Sequence, residues 1–399
     1  MTENRKCVLF ITPQPFFQWR GSPIRVAFNL QALSELGYEV DLLALPFGED
    51  RRMNGVRIFR TANPFRLKDM PIGPSLWKAV YDVLIFFKAW HMIRSRKYDV
   101  LHCVEDAAAI GVPLSRLSGA MLVFEKHSDP MSYRSNAIRN LVLYLYSRIE
   151  AFSIRHSDAV ICTGPGLAEK AGLIAHDIPV HHIFDIPSSL EEPSEDETRK
   201  VRESLVASSD DVLITYVGSF AVYQGIELVF GAIPLVARRC PRARFVIVGG
   251  GKQEIETRRS VLEKMGVADR VEFLGKISPD ELPDTLAASD VLLSPRVAGS
   301  NTPLKLLDYL KAGGAILATD NEANRLILDE TTAYFVEPDV ESLAEGICLL
   351  VEDRGLRNNL AKKGMELIRT RYNFTEFKRL IGDVYEQISG TGKSRLEQG

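Results

Sequence analysis

CVLFITPQPFFQWRGSPIRVAFNLQALSELGYEVDLLAL, residues 7–45, decides the fold. Val8-Leu9-Phe10-Ile11 is a short apolar run of the kind found in a strand buried on both faces. A loop containing proline and glycine follows through Pro23, and then IRVAFNLQALSELG shows helical spacing and stops at Gly37. A second strand pattern runs from Glu39 to Leu45. Strand, helix and strand in about forty residues make a βαβ unit with a right-handed crossover.

The alternation continues outward from this stretch. Strand patterns lie near Val100–Cys103, Met121–Phe124 and Ala159–Cys162, with helical ones between them, including 77–97 and 136–156. PSSLEEPSEDETRK, 187–200, breaks the rhythm with proline, serine and acids and reads as part of a linker. The pattern restarts with strands at Val212–Val217, Arg244–Val248, Val271–Phe273, Val291–Ser294 and Ala315–Ala318. Helical spacing lies between them, then at 341–352, 355–371 and 374–388. The expected fold class is therefore α/β, two doubly wound Rossmann-like domains facing a central cleft. Its expected divisions are 1–185, a linker at 186–203, 204–372, a C-terminal helix at 373–389 packing back on the first domain, and a mobile tail at 390–399. In such sheets ligands bind beyond the carboxyl ends of the strands.

Composition excludes several classes. With 46% hydrophobic and 25% charged residues in 399, the chain is neither disordered nor a fibre. A net charge of −3 supplies no field for a nucleic acid, and none is expected as a partner. Five scattered cysteines, without a CxxC pair, fit neither a zinc ribbon nor a disulfide framework. No secretory signal or membrane span is evident, so a cytoplasmic location is expected. HExxH, GxSxG and Asp-x-Asp are all missing, and no metal or cofactor is expected.

Three strand-to-helix turns remain. Gly218-Ser219-Phe220-Ala221-Val222-Tyr223-Gln224-Gly225 either cradles a phosphate or is an ordinary turn needing glycine. Gly249-Gly250-Gly251 has the same two readings. The third turn, Ser294 to Lys305, enters a helix expected at Pro303, capped by Asn301 or Thr302. Arg296 and Lys305 can both reach an anion there. Asp308, three residues after Lys305, either accepts ribose hydroxyls or forms a surface salt bridge.

YVGSFAVYQGIELVF (216–230), SPRVAGSNTPLKLLDYLKAGGAILATD (294–320) and HHIFDIPSSLEEP (181–193) together resemble the retaining, nucleotide-sugar-dependent glycosyltransferases of family 4, with the GT-B fold. The resemblance implies an acceptor side in the first domain and a donor-nucleotide side in the second. The family's donor signature is a glutamate, seven residues, then a second glutamate. Here Asp308 stands at the second position and Ser300 at the first. The usual arginine and lysine of the preceding turn correspond to Ser219 and Gln224, and this chain resembles a subgroup with TPLK (302–305) before the acid. Arg296 and Lys305 would then supply the missing charge. The implied donor site comprises Ser219, Tyr223, Gln224, Gly250, Lys276, Ile277, Arg296, Asn301, Thr302, Pro303, Leu304, Lys305 and Asp308. Arg20, Gly21 and Ser22 resemble the family's glycine loop, and His127, in Glu125-Lys126-His127-Ser128, its histidine near the transferred sugar.

The implied reaction moves a sugar from a UDP- or GDP-type nucleotide sugar, without a metal, to a glycan, lipid-linked or small-molecule acceptor in bacterial polysaccharide or glycoconjugate synthesis. Two other readings stay open: a non-catalytic nucleotide-binding scaffold, which the missing acid and cations suggest, and a nucleotide-sugar epimerase. Helix 77–97, with Trp77, Phe86, Phe87 and Trp90 among lysine and arginine, either docks on the inner membrane surface or only packs on its sheet.

Overall fold

The computed structural model describes residues 5–70, 76–129, 137–298 and 302–396. The chain opens with β1 (Cys7–Ile11), α1 (Gly21–Glu35), β2 (Glu39–Ala44), β3 (Val56–Arg60), α2 (Leu76–Ser95), β4 (Val100–Val104), α3 (Ala107–Ser118), β5 (Met121–Lys126), α4 (Ala137–Arg155), β6 (Ala159–Cys162), α5 (Pro165–Ile174) and β7 (Val180–His182). There follow α6 (Glu195–Leu205), β8 (Val212–Val217), α7 (Ile226–Arg239), β9 (Ala243–Val248), α8 (Lys252–Lys264), β10 (Val271–Gly275), α9 (Leu282–Ala287), β11 (Val291–Ser294), α10 (Lys305–Ala312), β12 (Ala315–Thr319), α11 (Glu322–Arg325), β13 (Ala333–Val336), α12 (Val340–Glu352), α13 (Arg354–Thr370) and α14 (Phe374–Leu396).

Two compact units result, Met1–Asp185 with Phe374–Gly399, and Ile186–Asn373. The first holds a parallel seven-stranded sheet in the order β3-β2-β1-β4-β5-β6-β7. The second holds a parallel six-stranded sheet, β10-β9-β8-β11-β12-β13. Strand order reverses between β1 and β4 in the first and between β8 and β11 in the second. Those reversals are where α/β sheets bind ligands, because neighbouring connections leave in opposite directions and open a crevice.

Central strands are apolar throughout because helices cover both faces. In the first sheet Leu9, Ile11, Leu101, Cys103, Leu122 and Phe124 pack with α2, α3, α4 and α5. The other face meets α1 and α14: Phe28 touches Phe374 and Phe377, and the buried Tyr385 hydroxyl meets His102 Nδ1 at 2.8 Å. In the second unit Ile214, Tyr216, Phe245, Ile247, Leu293 and Leu317 pack with α7 and α12.

Three differences from the sequence reading have physical causes. β3, β7 and β13 were not anticipated, and all three are edge strands. Their residues are mostly half-buried, so they lack the continuous apolar run of a central strand. Within the expected linker, α6 forms because Ser194 Oγ accepts the Glu197 amide and Glu195, Asp196 and Glu197 face the positive helix end. The last helix, expected to give way to a mobile tail, runs on to Leu396, since no proline interrupts its hydrogen-bond ladder.

Candidate functional site

The second unit's switch point is built from the loops after β8 and β11. They are laced by Val297 N donating to Tyr223 O at 3.0 Å. Gly225 makes this approach feasible: its φ is +69°, and a Cβ there would lie 1.7 Å from the Pro295 carbonyl oxygen. Gly250 also serves packing, because a Cβ would lie 2.6 Å from the Phe220 ring.

Lys305 opens α10 and reaches back across this switch point. Its Nζ lies 3.3 Å from Val217 O, 3.3 Å from Gln224 Oε1, and 4.8 Å from the centre of the Tyr216 ring. All three partners are uncharged. Burial, with Arg296 nearby, pushes its ammonium down to about 7. Arg296 is buried, donates from Nε to Ala298 O at 2.7 Å, and lies over the Tyr223 ring at 5.6 Å. Its pKa is also lowered by burial. Among the described residues neither cation has a carboxylate in ion-pair contact.

Asp308 turns elsewhere. Oδ1 accepts the Ser188 amide at 2.6 Å, and with Lys311 the side chain lines a small pocket with Ser189, Pro193 and Leu286. Burial raises its pKa to about 6, against the opposing pull of Ser188 and Lys311. A salt bridge to Lys305 is not among its contacts. The helix also begins later than expected: Pro303 and Leu304 form a tighter turn, with Leu306 N bonding Pro303 O at 2.9 Å and Leu307 N bonding Leu304 O at 3.0 Å. Thr302 is half-buried, and no side-chain cap is made at Leu304. Ser219, Tyr223 and Lys276 are exposed, while Ile277 packs beside Leu213, Val246 and Val248. Asn301 and Ser300 lie outside the described residues.

In the first unit Gly21 and Ser22 form the first turn of α1, at the carboxyl end of β1, and that turn contains no acid. Ser22 Oγ and His127 Nδ1 are 2.8 Å apart, and His127 N donates to Glu105 Oε1 at 3.0 Å. Glu105 adopts φ +52°, uncommon for a residue with a side chain, as the chain turns from β4 into α3. Arg20 is exposed and pairs with Asp69 at 3.4 Å.

Beneath His127 lies an assembly the sequence reading missed. Fully buried Glu125 accepts Arg25 Nε at 2.5 Å and Asn29 Nδ2 at 2.7 Å. His102 Nε2 lies 3.1 Å from it and His127 Nε2 3.4 Å. Arg25 also donates to Asp185 at 2.9 Å and lies over Phe377. Burial alone would raise the Glu125 pKa, but Arg25 and the two histidines hold it well below the usual carboxylate range. Burial lowers the His102 pKa. The available signal was helical: Arg25 and Asn29 are polar residues four apart in the otherwise apolar stretch Pro23–Leu30 of α1. Among the described residues no three His, Cys, Asp or Glu side chains are grouped as metal ligands.

Comparison with known proteins finds a match for each half of the chain. Residues 21–182 match the Glycosyltransferase Family 4 model, and 211–353 match the model of Glycosyl transferases group 1. Each half thus matches a glycosyltransferase domain. An uncharacterized glycosyltransferase of Methanocaldococcus jannaschii is 23% identical over 372 residues, 89% of this chain and 91% of that protein. The phosphatidyl-myo-inositol mannosyltransferase of Mycolicibacterium smegmatis is 27% identical over 172 residues, 42% of this chain. That match spans less than half of the mannosyltransferase, 43% of its length. Anabaena HepE, solved in complex with UDP, superposes with a TM-score of 0.71 at 15% identity, covering 96% of this chain and all of the other. The two Rossmann-like domains of this chain are thus of the GT-B type.

Proposed function

We propose that the chain transfers a sugar from a UDP- or GDP-type nucleotide sugar to a hydroxyl acceptor, with retained configuration and without a metal. The observation carrying this reading is the pair Arg296 and Lys305 at the β8/β11 switch point, held by neutral partners and matched by no carboxylate among the described residues. Two such cations favour an external dianion, and a diphosphate satisfies them at the carboxyl ends of the strands. The contact between Lys305 Nζ and Gln224 Oε1 bears on the missing family cation. The ammonium sits beside the position that the family's turn lysine would occupy, so charge is relocated rather than lost. HepE, with UDP, lends support to this ligand class.

In the proposed step the bond from sugar C1 to the diphosphate oxygen breaks, and a bond from C1 to the acceptor oxygen forms on the same face. The acceptor's proton passes to the departing diphosphate. Arg296 and Lys305 stabilise the negative charge that develops there. His127, fixed by Ser22, Glu105 and Glu125, contacts the transferred sugar, and Asp308 accepts a ribose hydroxyl while retaining Ser188. The mannosyltransferase similarity favours a lipid-linked acceptor over a free glycan or small molecule, within bacterial glycoconjugate synthesis.

Calorimetry with UDP and GDP in excess EDTA tests the core of this reading. Nucleotide binding under chelation is the expected result. Binding that vanishes with EDTA and returns with magnesium or manganese overturns the metal-free part. Product analysis with donor alone and with acceptor separates transfer from epimerisation, and from a scaffold that binds but does not turn over.

A further inference from the structure

The first unit carries an outward surface that its own core does not use. On α4, Leu141, Val142, Leu145, Ile149 and Phe152 are all exposed, at 44–61% of their full area. At about 100° per residue these five side chains fall on one side of the helix, with Arg148 and Arg155 along its edge. The opposite side carries Leu143 and Ile154, both fully buried. A helix serving only its own sheet would show polar residues outward.

Helix α2 repeats the arrangement. Tyr81, Ile85, Ala89 and Met92 are buried against the sheet, whereas Leu76, Val80, Val83 and Phe87 form an exposed stripe that continues into Arg94. The expected packing of this helix on its sheet accounts for one face only, and the other stays exposed. Phe65 extends the stripe, its ring 5.1 Å from Trp77. Both helices pack on α3 and cover the same face of the sheet. Each begins at the carboxyl ends of the strands, where Ser22 and His127 lie.

Charge identifies the occupant. Each helix has one acid with a described side chain, and both turn inward: Asp82 faces Asp106, and Glu150 pairs with Lys126. The outward charges are cations, Arg94, Arg148 and Arg155, exposed and outside every ion pair of the described residues. A second copy docking here through a twofold axis would set cations against cations. An anionic bilayer accepts both the apolar stripes and the arginines. No helix among the described residues is long and apolar enough to cross a membrane, so contact would be interfacial.

We propose that the outward faces of α4 and α2 form one docking surface for an anionic lipid bilayer, with the apolar stripes entering the headgroup boundary and the arginines contacting anionic headgroups. Vesicle binding can be read without substrate, so the proposal stands apart from the transfer reaction.

The test is co-sedimentation of the full chain with phosphatidylcholine vesicles, with and without phosphatidylglycerol, at low and high salt. Binding should require phosphatidylglycerol and weaken with salt. Arg148→Gln with Arg155→Gln should reduce partitioning roughly 30-fold, from about fivefold per cation. Leu145→Gln with Phe152→Gln should reduce it further, with UDP affinity and melting temperature unchanged in both pairs. The proposal fails if phosphatidylglycerol vesicles do not bind, or if binding survives both pairs of substitutions. It fails equally if wild type is a dimer that Leu145→Gln with Phe152→Gln dissociates, which would give the surface to a second copy.

Discussion

The two units hold their buried charges in opposite ways. In the first, one carboxylate, Glu125, gathers Arg25, Asn29 and His102, with His127 at its edge. In the second, Arg296 and Lys305 lie against carbonyl oxygens and aromatic rings, with no acid opposite among the described residues. A satisfied buried network is rigid and sets the position of whatever it touches. Unpaired cations keep their attraction for an anion from outside. On the proposed function, the first arrangement positions His127 and the second supplies binding energy for the diphosphate. Their cost to folding differs in the same sense, because desolvation is compensated in one and not in the other.

The most severe way to break the comparison is Glu125→Ala. It would leave Arg25 buried with Asp185 as its one remaining carboxylate partner among the described residues, and removing one partner of a buried pair costs about 3–5 kcal/mol. Urea unfolding should show that loss, and Glu125→Gln a smaller one. A change under about 1 kcal/mol would mean that the network is not structurally important.

His127→Ala tests the positioning role itself. If its contact is made mainly in the transition state, kcat should fall by roughly 100- to 1000-fold while nucleotide affinity barely changes. Equal losses in both, measured by steady-state kinetics and calorimetry, would make His127 a binding or structural residue instead.

Lys305→Ala sharpens the contrast, because binding and stability should move in opposite directions. Loss of a charge-assisted hydrogen bond is worth about 1.5–3 kcal/mol, or roughly 10- to 150-fold in diphosphate affinity. Folding stability should stay level or rise, since a desolvated, unpaired cation is removed. A melting temperature that drops along with affinity would place Lys305 among the structural residues.

The smallest effect is a pH dependence. Lys305 has its folded pKa depressed from 10.5 to about 7. Between those values the unfolded chain binds the extra proton, so this lysine's destabilising contribution is full below about pH 7 and relieved toward pH 10.5. A diphosphate favours the protonated form, so binding above pH 7 should take up a proton. Affinity should fall by up to about tenfold per pH unit above 7. Titrations from pH 7 to 9 in buffers of different ionisation enthalpy would show the uptake, and Lys305→Arg should abolish it. An unchanged slope in that variant would assign the proton to another group.

Much of this was legible along the chain. Apolar runs such as Val8–Ile11 and Val291–Ser294 marked the central strands, because burial on both faces removes polar residues from every position. The edge strands β3, β7 and β13 escaped, because a half-buried strand carries a mixed pattern. Arg296 and Lys305 were visible as cations in a strand-to-helix turn, since both belong to one short segment. Whether their charge was paired was not visible. Ser188, 120 residues from Asp308, takes one carboxylate oxygen. Glu125 meets Arg25 across 100 residues, and Tyr385 meets His102 across 283. Local sequence thus determined the periodic elements, their parallel alternation and the chemistry available at each strand end. Only the tertiary structure decided which charges are neutralised, because that depends on which distant side chains share one desolvated space.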